Sequence, residues 1–159
     1  MMEFALAALL SGAARDSVKY VGYEVAMQPG YGTMCGWNSS RQNKLMLDGP
    51  KKLRILFRVD HGKVEKMLLA TEDCEIDAGG QALVMLPGIT AAQSVEYLAS
   101  REDDSGFHAI SAHQDSVAAE RLIAIARDGR NPHRQKKAFF WLARSKDVKA
   151  ERFIESILR

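Results

Sequence analysis

The chain has 159 residues, 47% of them hydrophobic, and a formal net charge of +2. That composition is ordinary for a globular protein and supplies one sizeable core, arranged as one domain or as a small domain plus a short helical array. The near balance of charge excludes a bulk electrostatic reason for binding nucleic acid or a membrane surface.

Residues 4–14 are apolar and small, like the core of a signal peptide, but Glu3 stands where a positive charge belongs and the run is too short to span a bilayer. The expectation is a helix over residues 3–14 packed on the body. Residues 18–27 are rich in β-branched and aromatic side chains and read as a strand. Gln28-Pro29-Gly30 is a turn, and the glycine-punctuated residues 31–37 read as an irregular strand or bulged edge. A polar loop is expected over residues 38–43, a short strand over 44–47 and a turn at Asp48-Gly49-Pro50.

Leu53, Ile55, Phe57 and Val59 alternate with Arg54 and Arg58, the period of a strand with one buried face. Asp60-His61-Gly62-Lys63 is a tight hairpin signal, which sets Val59 opposite Val64 and makes residues 64–71 the return strand. Glu72 to Asp77 form an acidic loop or edge, and Asp77 before Ala78-Gly79-Gly80 is a turn former. Residues 82–86 are a short apolar strand. Thr90-Ala91-Ala92-Gln93 is a capping box that opens a helix through Val95 and Leu98.

The rest is helical. Residues 106–113 are a short helix partner, and Val117, Ala118, Leu122, Ile125 and Ala126 form an apolar stripe after the cap candidates Asp115-Ser116. Gly129 suits a left-handed helix end, Asn131 an N-cap and Pro132 the first helical position. That helix is expected over residues 132–144, and Asp147 caps a last helix whose stripe is Ala150, Phe153, Ile154, Ile157 and Leu158. The short link makes the last two helices an antiparallel hairpin. Strands first and helices second give an α+β fold. We expect residues 1–88 to form an N-terminal helix plus a small antiparallel β-rich part. Residues 89–159 then form about two helix pairs packed with it as one unit.

The stretch Asn131-Pro132-His133-Arg134-Gln135-Lys136-Lys137-Ala138-Phe139-Phe140-Trp141-Leu142-Ala143-Arg144-Ser145 resembles the helix-turn-helix unit of HEAT repeats. The bacterial pattern is N-P-x-x-R-x-x-A-x-F-W-L-x-x-S; here its arginine is displaced to Arg134 or replaced by Lys136. Further segments resemble exported bacterial HEAT-repeat domain-containing proteins: Cys35-Gly36-Trp37 for C-C-W, Asp73-Cys74-Glu75-Ile76-Asp77-Ala78-Gly79-Gly80 for D-C-x-x-D-A-G-G, Ser94-Val95-Glu96-Tyr97-Leu98 for S-V-x-x-L, and Tyr20-Val21-Gly22-Tyr23 for W-x-G-Y. Gly36 and Tyr20 are the departures. The resemblance implies a HEAT-like α-helical repeat stack capped by the β-rich half, and it carries no activity. It also implies a periplasmic or secreted location, with the cytoplasm as the alternative, and so favours a Cys35–Cys74 bridge. Composition alone leaves that pair as either one disulfide or two buried thiols.

No metal-ligand spacing stands out: His108 and His113 are five apart, not the four that aligns two imidazoles on a helix. No cofactor is expected either. Two cysteines read better as structural than as nucleophiles, because a nucleophile needs a base in reach. From Arg130 onward nine Lys and Arg stand against three Asp and Glu, a local charge of +6. Arg130, Arg134, Lys136, Lys137 and Trp141 are therefore candidates for an interaction surface. The functional expectation is a non-catalytic scaffold binding another protein, with no membrane span. An enzyme with a site near Trp37 and the Cys74–Asp77 loop is the alternative, and nucleic-acid binding by the basic helices is a second.

Overall fold

The computed structural model describes residues 6–13, 18–35, 39–41, 49–60, 63–76, 79–80, 82–101 and 104–159. The elements in order are α1 (Leu6–Ala13), β1 (Val18–Ala26), β2 (Ser39–Arg41), β3 (Lys52–Asp60), β4 (Lys63–Thr71), β5 (Cys74–Ile76), β6 (Ala82–Met85), α2 (Ala91–Ser100), α3 (Asp104–Ala112), α4 (Val117–Arg127), α5 (Pro132–Leu142) and α6 (Val148–Leu158).

The main sheet has the order β4-β3-β1-β6. The β3–β4 hairpin opens in the expected register, with Val59 opposite Val64 and Asp60 opposite Lys63, but a bulge between Arg58 and Val59 then shifts the pairing by one, so that Arg58 lies opposite Lys66 and Leu53 opposite Thr71. β1 pairs antiparallel to β3, setting Val21, Tyr23 and Val25 opposite Phe57, Ile55 and Leu53. Both sets lie on one face by the two-residue period, and all six are buried. β6, however, runs parallel to β1, so the sheet is mixed rather than antiparallel. The chain leaves β4 at one edge, crosses to the other and enters β6 beside β1 in the same direction as β4. Such a crossover produces a parallel pair, which hydropathy patterns do not encode.

A second, two-stranded sheet pairs β2 with β5. β2 falls in what reads as a polar loop; Ser39, Ser40 and Arg41 have little strand propensity, and their pairing partner supplies the order. Residues 31–35 carry no strand. The expected strand at 44–47 and the residues His61, Gly62, Trp37 and Asp77 lie outside the described residues.

Helix boundaries follow local chemistry closely. Thr90 and Gln93 exchange both capping-box hydrogen bonds. Asn131 accepts from the Arg134 amide ahead of Pro132, and Asp147 accepts from the Lys149 amide. Ser116 makes no side-chain cap bond; the carboxylate of Asp115 accepts from the Val117 amide instead. Gly129 is absent from the positive-φ glycines, so the α4–α5 turn is not a left-handed glycine cap. Asp128 closes it, accepting from the Arg130 amide at 3.1 Å and from its guanidinium at 2.9 and 3.0 Å.

The helices cover the apolar face of the sheet. One continuous core joins Leu6 and Leu10 of α1, the sheet residues above, Val95 and Leu98 of α2, Phe107 and Ile110 of α3, Leu122 of α4 and Leu142 of α5. A large apolar side chain buried there contributes about 1.5–3 kcal/mol. The α3 and α5 C-termini lie together, because Tyr31 reaches both the Ser111 and the Arg144 carbonyls, at 3.1 and 3.3 Å. Glu120 and Lys149, near the N-termini of α4 and α6, form an ion pair. Further along the same two helices the Arg127 guanidinium lies over the Phe153 ring, so α4 and α6 run in the same direction.

Gly22 marks the tightest point of the sheet. A Cβ there would lie 2.4 Å from Leu56 Cδ2, 2.9 Å from the Ile55 carbonyl oxygen and 3.2 Å from Met85 Sδ. The leucine and methionine ends can move, but the backbone oxygen cannot without shifting β3. Gly22→Ala is therefore expected to cost about 1–3 kcal/mol of stability, read from the midpoint of a denaturant titration at unchanged slope. A wild-type midpoint would show that the sheet relaxes freely here.

Candidate interaction surface

Two polar sites and one groove stand out once the core is removed from consideration. The first polar site is a buried chain of hydrogen bonds beneath the sheet. Tyr23 Oη lies 2.7 Å from Ser94 Oγ, Ser94 Oγ 2.8 Å from His113 Nε2, and His113 Nδ1 2.6 Å from the Ala109 carbonyl oxygen. A carbonyl only accepts, so Nδ1 carries the proton and Nε2 is the bare nitrogen. Ser94 must then donate to Nε2, and Tyr23 to Ser94. Burial pushes His113 down to about 4, against the smaller opposing pulls of the Ala109 carbonyl and the Asp115 charge. Burial also pushes the Tyr23 hydroxyl up, opposed by its Ser94 bond. A serine hydrogen-bonded to a neutral histidine has the form of a nucleophile and its base. Tyr23 and Ser94 are 0% exposed and His113 1%, so no substrate carbonyl reaches the serine. The chain is a directional fastener between β1, α2 and the end of α3.

The second polar site is the Cys35–Cys74 disulfide, with Cα atoms 5.6 Å apart. It ties the segment after β1 to the start of β5. Around it, Thr33 and Thr71 both donate to the carboxylate of Asp73, which is 2% exposed. The Thr71 amide donates to the Met34 carbonyl oxygen at 2.8 Å, and the Met34 amide donates to Thr71 Oγ1 at 3.0 Å. A bridged sulfur has no thiolate to offer. The bridge fits an extracellular or periplasmic compartment. Among the described residues no group of three or more His, Cys, Asp or Glu is placed to hold a metal ion, and no helix is long and apolar enough to cross a membrane.

The cationic and aromatic residues singled out in the last helices do not form one patch. Arg134 is partly turned inward, donating to the Ala99 carbonyl at 2.7 Å and lying 5.4 Å over the Phe107 ring. It fastens α5 to α2 and α3. Trp141 stacks on His108 at 4.4 Å, joining α5 to α3. Arg130 is well exposed but engaged by Asp128, whose carboxyl that bond holds down to about 2. Lys136 is exposed on α5 and Lys137 half-buried.

The groove lies elsewhere, between α4 and α6, with an open volume of about 520 Å³. Its apolar floor is Ile123, Ala124 and Phe153, and its walls carry Arg127 and Arg152. The Arg127 guanidinium sits 5.2 Å over the Phe153 ring. The Glu120–Lys149 pair closes the end near the helix N-termini. Beyond Phe153 the α6 stripe runs out into solvent: Ile154 is half-buried, Ile157 is 48% exposed and Leu158 81%. The stripe itself is readable from the sequence. That Arg127 and Arg152 line one groove is not, because it requires α4 and α6 to lie side by side. Comparison with protein-family models, curated proteins and solved structures finds no match to this chain.

Two outcomes follow. Mass analysis of unreduced protein should show no free thiol and a mass two protons below the reduced form. Reduction should then cost about 2–4 kcal/mol, read from guanidinium unfolding, for a loop of 39 residues. For His113, the unfolded chain binds a proton below the ordinary 6.5 whereas the native chain does so only near 4. Stability is therefore full above about pH 6.5 and falls by up to about 1.4 kcal/mol per unit as pH drops toward 4. His113→Gln should remove that slope; an unchanged slope would assign it to other groups.

Proposed function

We propose that this chain is a non-catalytic protein-interaction module. Its two helix pairs act as HEAT-like units capped by the sheet, and it works in the bacterial envelope. The observation that carries the reading is the open groove between α4 and α6, an apolar floor flanked by two arginines. The placement of α5 beside α3 and of α6 beside α4, the latter two in the same direction, is what stacking of two like helix pairs produces. The resemblance of residues 131–145 to a HEAT unit supports the same view. The disulfide supports an oxidising compartment.

The enzyme alternative loses its thiol, since Cys74 is bridged, and the only Ser–His pair described above is sealed in the core. The nucleic-acid alternative loses two of its four candidate phosphate contacts, Arg130 and Arg134, to internal bonds.

A photoreactive residue at Ala124, exposed on the groove floor, tests the module. In cells it should give a discrete protein adduct, whereas the same residue at Glu65, exposed on β4, should not. Absence of an adduct at Ala124, or equal labelling from both positions, would count against an interaction role for this face.

A further inference from the structure

We infer that the α4–α6 groove takes an acidic amphipathic α-helix of a partner protein. This rests on the interaction reading above and names the chemistry of the partner. The floor, Ile123, Ala124 and Phe153, is apolar and continuous with the exposed Ile157. Such a strip pairs with a stripe of apolar side chains at i, i+3, i+4 and i+7. Arg127, from α4, lies over the Phe153 ring and Arg152 comes from α6; both line the groove, and neither has a carboxylate partner among the described residues. Each therefore keeps a guanidinium fork ready for a carboxylate. Glu120, the one acidic residue lining the groove, is already held by Lys149 at the closed end. A ligand thus meets a net positive field over an apolar base.

Length fits as well. α6 has 11 residues, about 16 Å at 1.5 Å per residue, which matches about three turns of a partner helix. A nucleic acid would need a run of cations at phosphate spacing and no apolar floor. An anionic bilayer would need a flat or convex surface, not a groove between two helices. A helix with one apolar face and carboxylates on both flanks satisfies every feature together.

The test is selection from a randomised helical-peptide library displayed on phage, using the full chain with its disulfide intact. Enriched peptides should carry net negative charge and the i, i+3, i+4, i+7 apolar stripe. Arg127→Glu with Arg152→Glu should weaken their binding by about tenfold or more, and lysine-for-glutamate versions of the same peptides should then prefer the doubly substituted chain. Because Arg127 covers Phe153, Arg152→Glu alone is measured beside it, with both melting curves checked against wild type. Neutral or basic enriched peptides, no enrichment, or affinities unmoved by the reversals overturn the inference. So does displacement of the peptides by phosphatidylglycerol vesicles or duplex DNA at about 0.15 M salt. A protein adduct at Ala124 alongside any of these results leaves the interaction role standing and removes only the acidic helix.

Discussion

Tyr23 donates to Ser94, Ser94 to His113, and His113 to the Ala109 carbonyl. Apolar contact alone would hold sheet and helices together in many relative positions, because it has no direction. The hydrogen-bond chain selects one, since each member has a single proton and a single acceptor to give it to. The backbone continues the work: Gln28 donates to the Ala112 carbonyl and Gln114 to that of Ala26, so the end of β1 is laced to the end of α3. α2 and α3 are positioned on the sheet from that seam.

Much of this organisation was readable in the residues, and the boundary is physical. Caps and turns were legible because their chemistry is local: the Thr90–Gln93 box, Asn131-Pro132 and Asp147 each act within a few positions. The β3–β4 register was legible at its turn end, where alternation plus a tight turn sets Val59 against Val64, but not past the bulge that shifts it by one from Arg58 on. Three further things were not. β6 lies parallel to β1 because of where the chain crosses, β2 is ordered by β5, and Gly129 yields its turn to Asp128. In each case the deciding partner sits elsewhere in the chain, or a neighbouring side chain outcompetes a backbone preference.

The surface obeys the same division. The last helix announces an apolar stripe, yet the stripe alone does not say which part is covered. Packing against α4 buries Ala150 and Phe153 and leaves Ile157 and Leu158 to solvent. The conspicuous cations and aromatics of α5 turn out to work mostly inward, as Arg134 and Trp141 illustrate. Less conspicuous residues, Arg127 and Arg152, acquire significance only from lining the same groove.

Gln28 gives this arrangement a mechanical character. Its buried amide accepts from the Lys146 backbone N–H at 2.8 Å and reaches Ser145 Oγ at 3.4 Å, both in the turn between α5 and α6. A lever anchored at its pivot transmits load there. Because Gln28 follows β1 by two residues, tension applied along α6 reaches the main sheet through this tether as well as through the helices beside it, rather than being dissipated in a slack hinge.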